Sequence, residues 1–98
     1  MRLSFHPAAR GEFIAAADYY EAAVSGLGDR FLQVVRGTTA MLLQHPEAGS
    51  VRVGQARRVV VTGFPYDVVH QVRHELLEVI AIAHHRRRPG YWRERVIG

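Results

Sequence analysis

The stretch His84-His85-Arg86-Arg87-Arg88-Pro89-Gly90-Tyr91-Trp92-Arg93-Glu94-Arg95 concentrates the side chains able to do chemistry: five of the thirteen arginines, the only tryptophan, two adjacent histidines and one carboxylate. Arginine stays protonated and makes planar two-pronged contacts to phosphate or carboxylate, so it suits anion recognition and is a poor proton-transfer group. With Tyr91 and Trp92 among the arginines, the stretch reads as a surface for phosphates and stacked bases, or for an acidic protein partner. Alternatively, the two aromatics fold back to cap the domain and the arginines form a solvated rim. A lone large aromatic near the end of a small domain favours that second reading for Trp92. Three adjacent like charges, Arg86 to Arg88, favour contact with an anion.

The chain has no cysteine and no lysine. Disulfides, thiolate metal sites and cysteine nucleophiles are therefore excluded, and a general acid or base must be His, Tyr, Asp or Glu. His84 and His85 can shuttle protons, with an ordinary pKa of about 6.5. As neighbours on a strand they point to opposite faces and cannot chelate one ion, so neither metal nor cofactor is expected. One of the pair is expected to be a buried, hydrogen-bonded core histidine, leaving the other at the end of the sheet beside the arginines. Arg57 and Arg58 join the tail if the strands bring those ends together; otherwise they are charges that guard a strand edge. There is no Ser-His-Asp order, phosphate-binding glycine loop or paired-carboxylate spacing, and Gly26-Leu27-Gly28 lacks the rest of any nucleotide fingerprint.

The elements that must present these groups follow from periodicity. Residues 2–6 alternate, with Leu3 and Phe5 on one face, as a strand does. Pro7 then suits a first helical position. Phe13, Ala16, Ala17, Tyr20 and Val24 form a stripe of 3.6-residue period that stops near Ser25-Gly26. A second helix, from Gly28-Asp29 to just before Pro46, carries Phe31, Val34, Val35, Thr38, Met41 and Leu42. The short link predicts an antiparallel helical hairpin.

After the turn cluster 46–50, residues 57–61, 66–73 and 76–84 read as strands of an antiparallel meander. The last is apolar on both faces except at Glu78, which predicts a central position. The expected fold is one α+β domain over residues 1–98: an N-terminal strand, a helical hairpin packed on an antiparallel β-meander (β-α-α-β-β-β) and a short tail.

Charge is uneven along the chain. Residues 1–50 hold four Arg against five Asp/Glu and residues 51–98 nine against four, balances of −1 and +5 that give the net +4. The N-terminus lacks the apolar run of a signal peptide and no segment reaches about 18 apolar residues, so a cytoplasmic protein without membrane contact is expected.

Tyr20, Leu27-Gly28-Asp29-Arg30-Phe31, His45-Pro46, Arg57-Arg58, Phe64-Pro65-Tyr66, Ala81-Ile82-Ala83-His84 and Arg88-Pro89-Gly90-Tyr91-Trp92, in this order, resemble the ParE/RelE superfamily of type II toxin-antitoxin toxins. The resemblance covers almost the whole chain, and Phe64-Pro65-Tyr66 with Arg88-Pro89-Gly90-Tyr91-Trp92 are closer to the ParE branch. The sequence departs from the pattern at His70, where an aromatic is usual. The resemblance implies the toxin of a plasmid stabilisation-type system, causing growth arrest by binding and inhibiting DNA gyrase, with no catalytic residue. It also implies a cognate antitoxin that folds on binding, expected to be acidic in its toxin-binding segment.

Two alternatives stay open. One is a RelE-like ribosome-dependent mRNA endoribonuclease with Arg58, His85, Arg88 and Tyr91 as its site; the other is a non-toxic nucleic-acid-binding module. On the toxin reading, Arg57, Arg58, Arg86, Arg87, Arg88, Tyr91 and Arg93 contact target or antitoxin. Tyr20, Phe31, Phe64, Pro65, Tyr66 and Trp92 are structural anchors.

Overall fold

A computed structural model describes residues 1–96. Strand β1 (Arg2–Phe5) leads through His6, whose Nδ1 accepts the Ala8 N–H at 3.1 Å, into helix α1 (Pro7–Ala23) with proline at its first turn. Helix α2 (Leu27–Gln44) follows after three residues and ends just before Pro46. Its first turn is capped from α1: the Glu21 carboxylate accepts the N–H groups of Gly26 (2.9 Å) and Gly28 (3.0 Å). Helix starts leave such donors without intrahelical partners, so a carboxylate there satisfies both hydrogen bonding and the helix dipole. The Gly26 contact, ahead of that of Gly28, holds the Glu21 carboxyl below its ordinary pKa.

Strands β2 (Ser50–Val53), β3 (Ala56–Val60), β4 (Tyr66–Arg73) and β5 (Leu76–His84) complete the chain up to a 3-10 turn at Arg93–Arg95. The sheet order is β1-β5-β4-β3-β2, and β1 lies parallel to β5 while the other pairs are antiparallel. The predicted α+β arrangement is present, with one strand more than the periodicity suggested. That strand, β2, has four residues on the outer edge, mostly exposed, and its pairing shifts register after Val51, so little hydrophobic alternation marks it. The long apolar β5 is central, between β1 and β4.

One face of the sheet packs under the helical hairpin, where Phe31, Val35, Leu42, Val68, Leu77 and Val79 are fully buried. The opposite face carries Ala56, Val69, Ala81 and Ala83. β5 serves both faces by ordinary alternation, with a change of phase at a bulge: Val69 pairs with Ala81 and His70 with Val79, so Ile80 is an extra residue. The extra residue shifts the alternation, placing Val79 and Ile82 under the helices and Ile80, Ala81 and Ala83 on the other face.

Candidate functional site

The sheet face away from the helices is covered by the chain's own end. The turn after β5 is fixed by the His85 N–H donating to the Pro65 carbonyl (2.8 Å) and the Tyr91 N–H to that of Arg88 (3.1 Å), with Gly90 at φ +73°. Trp92, 5% exposed, then packs onto Ala56, Val69, Ile80, Ala81 and Ala83. Between tail and sheet lies a cleft of about 270 Å³, whose polar lining includes Arg52, Arg58, Asp67, His85, Arg88 and Arg93.

Asp67 is the cleft's buried carboxylate, 5% exposed. Its Oδ1 accepts from His85 Nε2 at 2.9 Å and its Oδ2 from Arg58 Nη1 at 3.3 Å. A carboxylate can only accept here, so in the neutral ring His85 carries its proton on Nε2 and Nδ1 is left as the acceptor.

A second carboxylate anchors the tail. Glu12 of α1 accepts the Tyr91 hydroxyl (2.8 Å), both Arg95 nitrogens (3.0 Å each) and the Ile82 N–H (3.1 Å), and Arg95 also donates to the Ile80 carbonyl at 3.1 Å. Hydrogen bonds to a charged group contribute about 1.5–3 kcal/mol each before non-additivity, so this is a strong tie across the whole chain. Burial first, then the bond to Glu12, pushes the Tyr91 hydroxyl well above its ordinary pKa. The Arg87 guanidinium lies over the Tyr91 ring, 3.8 Å from its centre.

The predicted contact residues divide. Arg58, Arg87, Arg88, Tyr91 and Arg93 line the cleft with His85. Arg57 is on the helix-facing side, where it donates to the Gly49 carbonyl (3.0 Å) and lines a separate hollow with His70. Arg86 is exposed on the turn and lies outside the cleft lining. Tyr20, Phe31, Phe64 and Tyr66 form an aromatic group with ring centres 5.1–6.2 Å apart, and Pro65 is exposed.

The expectation of a buried histidine in the His84-His85 pair is corrected. His84, the last residue of β5, is half-buried edge-on against Tyr66 (4.9 Å), and His85 is exposed, because the covering layers end there. The buried histidine is His70 in mid-strand, 0% exposed, with Nε2 donating to the Pro46 carbonyl at 3.1 Å.

Asp67, Glu12 and Arg52 escaped the sequence reading. Asp67 left a signal, since aspartate is depleted in strands and here interrupts a β-branched run. Glu12 left none: it sits on the polar side of an amphipathic helix, and its partners are 70 to 83 residues away.

Among the described residues no group of three or more His, Asp or Glu could hold a metal ion, and no helix is long and apolar enough to cross a membrane. No curated protein matches the chain. Among solved structures, one described as "Chromosomal ParDE TA system from P. aeruginosa" is similar in fold, with TM-score 0.66 and 17% identity over 86% of this chain and 95% of that one. Residues 3–89 match the family described as "ParE toxin of type II toxin-antitoxin system, parDE". With that match running from β1 through the cationic turn, the chain belongs to the ParE toxin family of type II toxin-antitoxin systems.

Proposed function

We propose that this type II toxin arrests growth by binding DNA gyrase through the cationic cleft, without catalysis, and that its cognate antitoxin prevents this. The observation that carries the reading is the state of the cleft's proton-transfer groups. Asp67 is committed to Arg58 and His85, and the Tyr91 hydroxyl is committed to Glu12 and held protonated. Apart from His84 and His85, the cleft's remaining charged side chains are arginines, which bind anions and do not exchange protons at neutral pH. Membership of the ParE family supports gyrase as the target.

The Asp67–His85 contact favours a second reading, a ribonuclease in which Asp67 orients His85 beside Arg58 and Arg88. In that reading Tyr91 has to give up its bond to Glu12 before it can donate a proton to a leaving group. The antitoxin is proposed to present an acidic segment that folds on binding, matching the basic second half of the toxin.

Induced expression with separate readouts tests the reading. Plasmid supercoiling should fall first while transcripts stay intact. Early cleavage of translated mRNA with normal supercoiling, abolished in His85→Ala and Tyr91→Phe, would replace it with the ribonuclease.

A further inference from the structure

Strand β1 stops at Phe5, opposite Val79, whereas β5 continues to His84. Past that point the edge of β5 offers the Ile80 carbonyl and the Ile82 N–H without a strand to pair them, and such an edge is left to water or to another chain. Here two side chains serve it instead: Arg95 donates to the Ile80 carbonyl, and Glu12 accepts the Ile82 N–H. Glu12 is thus fixed by backbone on one side and holds the tail on the other.

One of the tail residues it holds, Tyr91, touches the cleft's arginine turn. Glu12 Oε2 takes the Tyr91 hydroxyl and Arg95 Nη2, with the Glu12 and Arg95 side chains only 16% and 18% exposed. Tyr91 in turn offers its ring to Arg87 and its N–H to the Arg88 carbonyl. Arg87 has no ion-pair partner among the described residues, so the ring sets its position. A line of contacts therefore runs from α1 through Tyr91 to the arginine turn.

We propose that Glu12 is a positioning residue: through Tyr91 and Arg95 it holds Arg87 and Arg88 in the arrangement that receives an anion in the cleft. The inference rests on the reading of that cleft as the target-binding site. Fixing long cationic side chains before contact lowers the ordering cost of binding and so raises affinity.

The sign of one substitution separates positioning from bulk electrostatics. Glu12→Gln removes a negative charge next to a cationic cleft, which by charge alone strengthens anion binding. Loss of positioning weakens it.

The test is titration of the full-length protein with inorganic tripolyphosphate, followed by NMR of the arginine Nε–Hε signals. Circular dichroism and Trp92 fluorescence report on the fold. In Glu12→Gln the expected result is binding weakened about fivefold or more and loss of the ring-current shift that Tyr91 imposes on Arg87. Should Glu12→Gln not fold, Tyr91→Phe keeps the ring and cuts only its bond to Glu12, and a twofold or greater weakening is expected on the same grounds.

Unchanged or tighter binding in the folded variant, an unmoved Arg87 signal, or no saturable binding by wild type would overturn the proposal. A parallel gyrase supercoiling assay separates the two claims. Glu12-dependent tripolyphosphate binding by a wild-type protein that leaves gyrase unaffected retains the positioning role and removes gyrase as the target.

Discussion

Asp67 and His85 stand 2.9 Å apart, Oδ1 to Nε2, while the other oxygen of the same carboxylate holds Arg58 at 3.3 Å, so one buried anion organises an arginine of β3 and a histidine of the turn after β5. Arg58 and His85 side chains are 44% and 42% exposed, against 8% for Asp67. In Asp67→Asn the Arg58 and His85 side chains can rehydrate where they stand, which limits the loss to about 1–2 kcal/mol. Urea unfolding at neutral pH should show it as a lower midpoint with an unchanged slope.

His70 gives the fold an acid sensitivity. Burial first, with the nearby Arg57 charge adding to it, lowers the His70 pKa below 6.5 despite its bond to Pro46. As pH falls, the unfolded chain takes up this proton before the folded one. The stability due to neutral His70 is present above about pH 6.5 and is lost as pH drops through the lower folded value. Thermal melts between pH 7 and pH 5 should show a falling Tm in wild type and a smaller fall in His70→Phe.

The β4–β5 hairpin turns through His74 (φ 49°) and Glu75 (φ 61°), two non-glycine residues in the left-handed region. A two-residue turn of this geometry prefers Asn-Gly. The double substitution His74→Asn, Glu75→Gly should stabilise the protein by about 1 kcal/mol, raising Tm by roughly 4–8 °C for a domain of this size, measurable by calorimetry.

Gly28 sets how closely the two helices approach. A Cβ there would lie 2.5 Å from the Ala17 carbonyl oxygen and 2.8 Å from Glu21 Cβ, whereas one at Gly37 would meet nothing within 4 Å. Gly28→Ala should therefore cost about 1–3 kcal/mol, and Gly37→Ala should stabilise by up to about 1 kcal/mol through helix propensity alone. Denaturant melts of both variants check the contrast.

These residues also show what the sequence made legible. The helical stripe through Phe13 and Tyr20 and the two-faced apolar run of β5 are local patterns, and they predicted the hairpin and the central strand. The arginine turn was visible as composition. Its geometry was not, because that depends on Glu12 and Asp67, single carboxylates whose meaning comes from partners far along the chain. The Ile80 bulge was hidden for a related reason: in a run apolar on both faces, a shift of phase leaves no trace. Arg57 and Arg58 are adjacent in sequence, and the pleat of β3 sends them to opposite sides of the sheet.

Binding of gyrase by the cationic cleft without catalysis is measured by a supercoiling assay with purified gyrase, relaxed plasmid and purified toxin. Wild type should cause dose-dependent loss of supercoiling, Arg58→Gln/Arg88→Gln a loss at least about tenfold weaker, and His85→Gln should keep undiminished potency once its fold is verified, each decade corresponding to about 1.4 kcal/mol of binding. Full supercoiling at excess wild-type toxin, or inhibition that survives in Arg58→Gln/Arg88→Gln, would contradict binding of gyrase by the cleft.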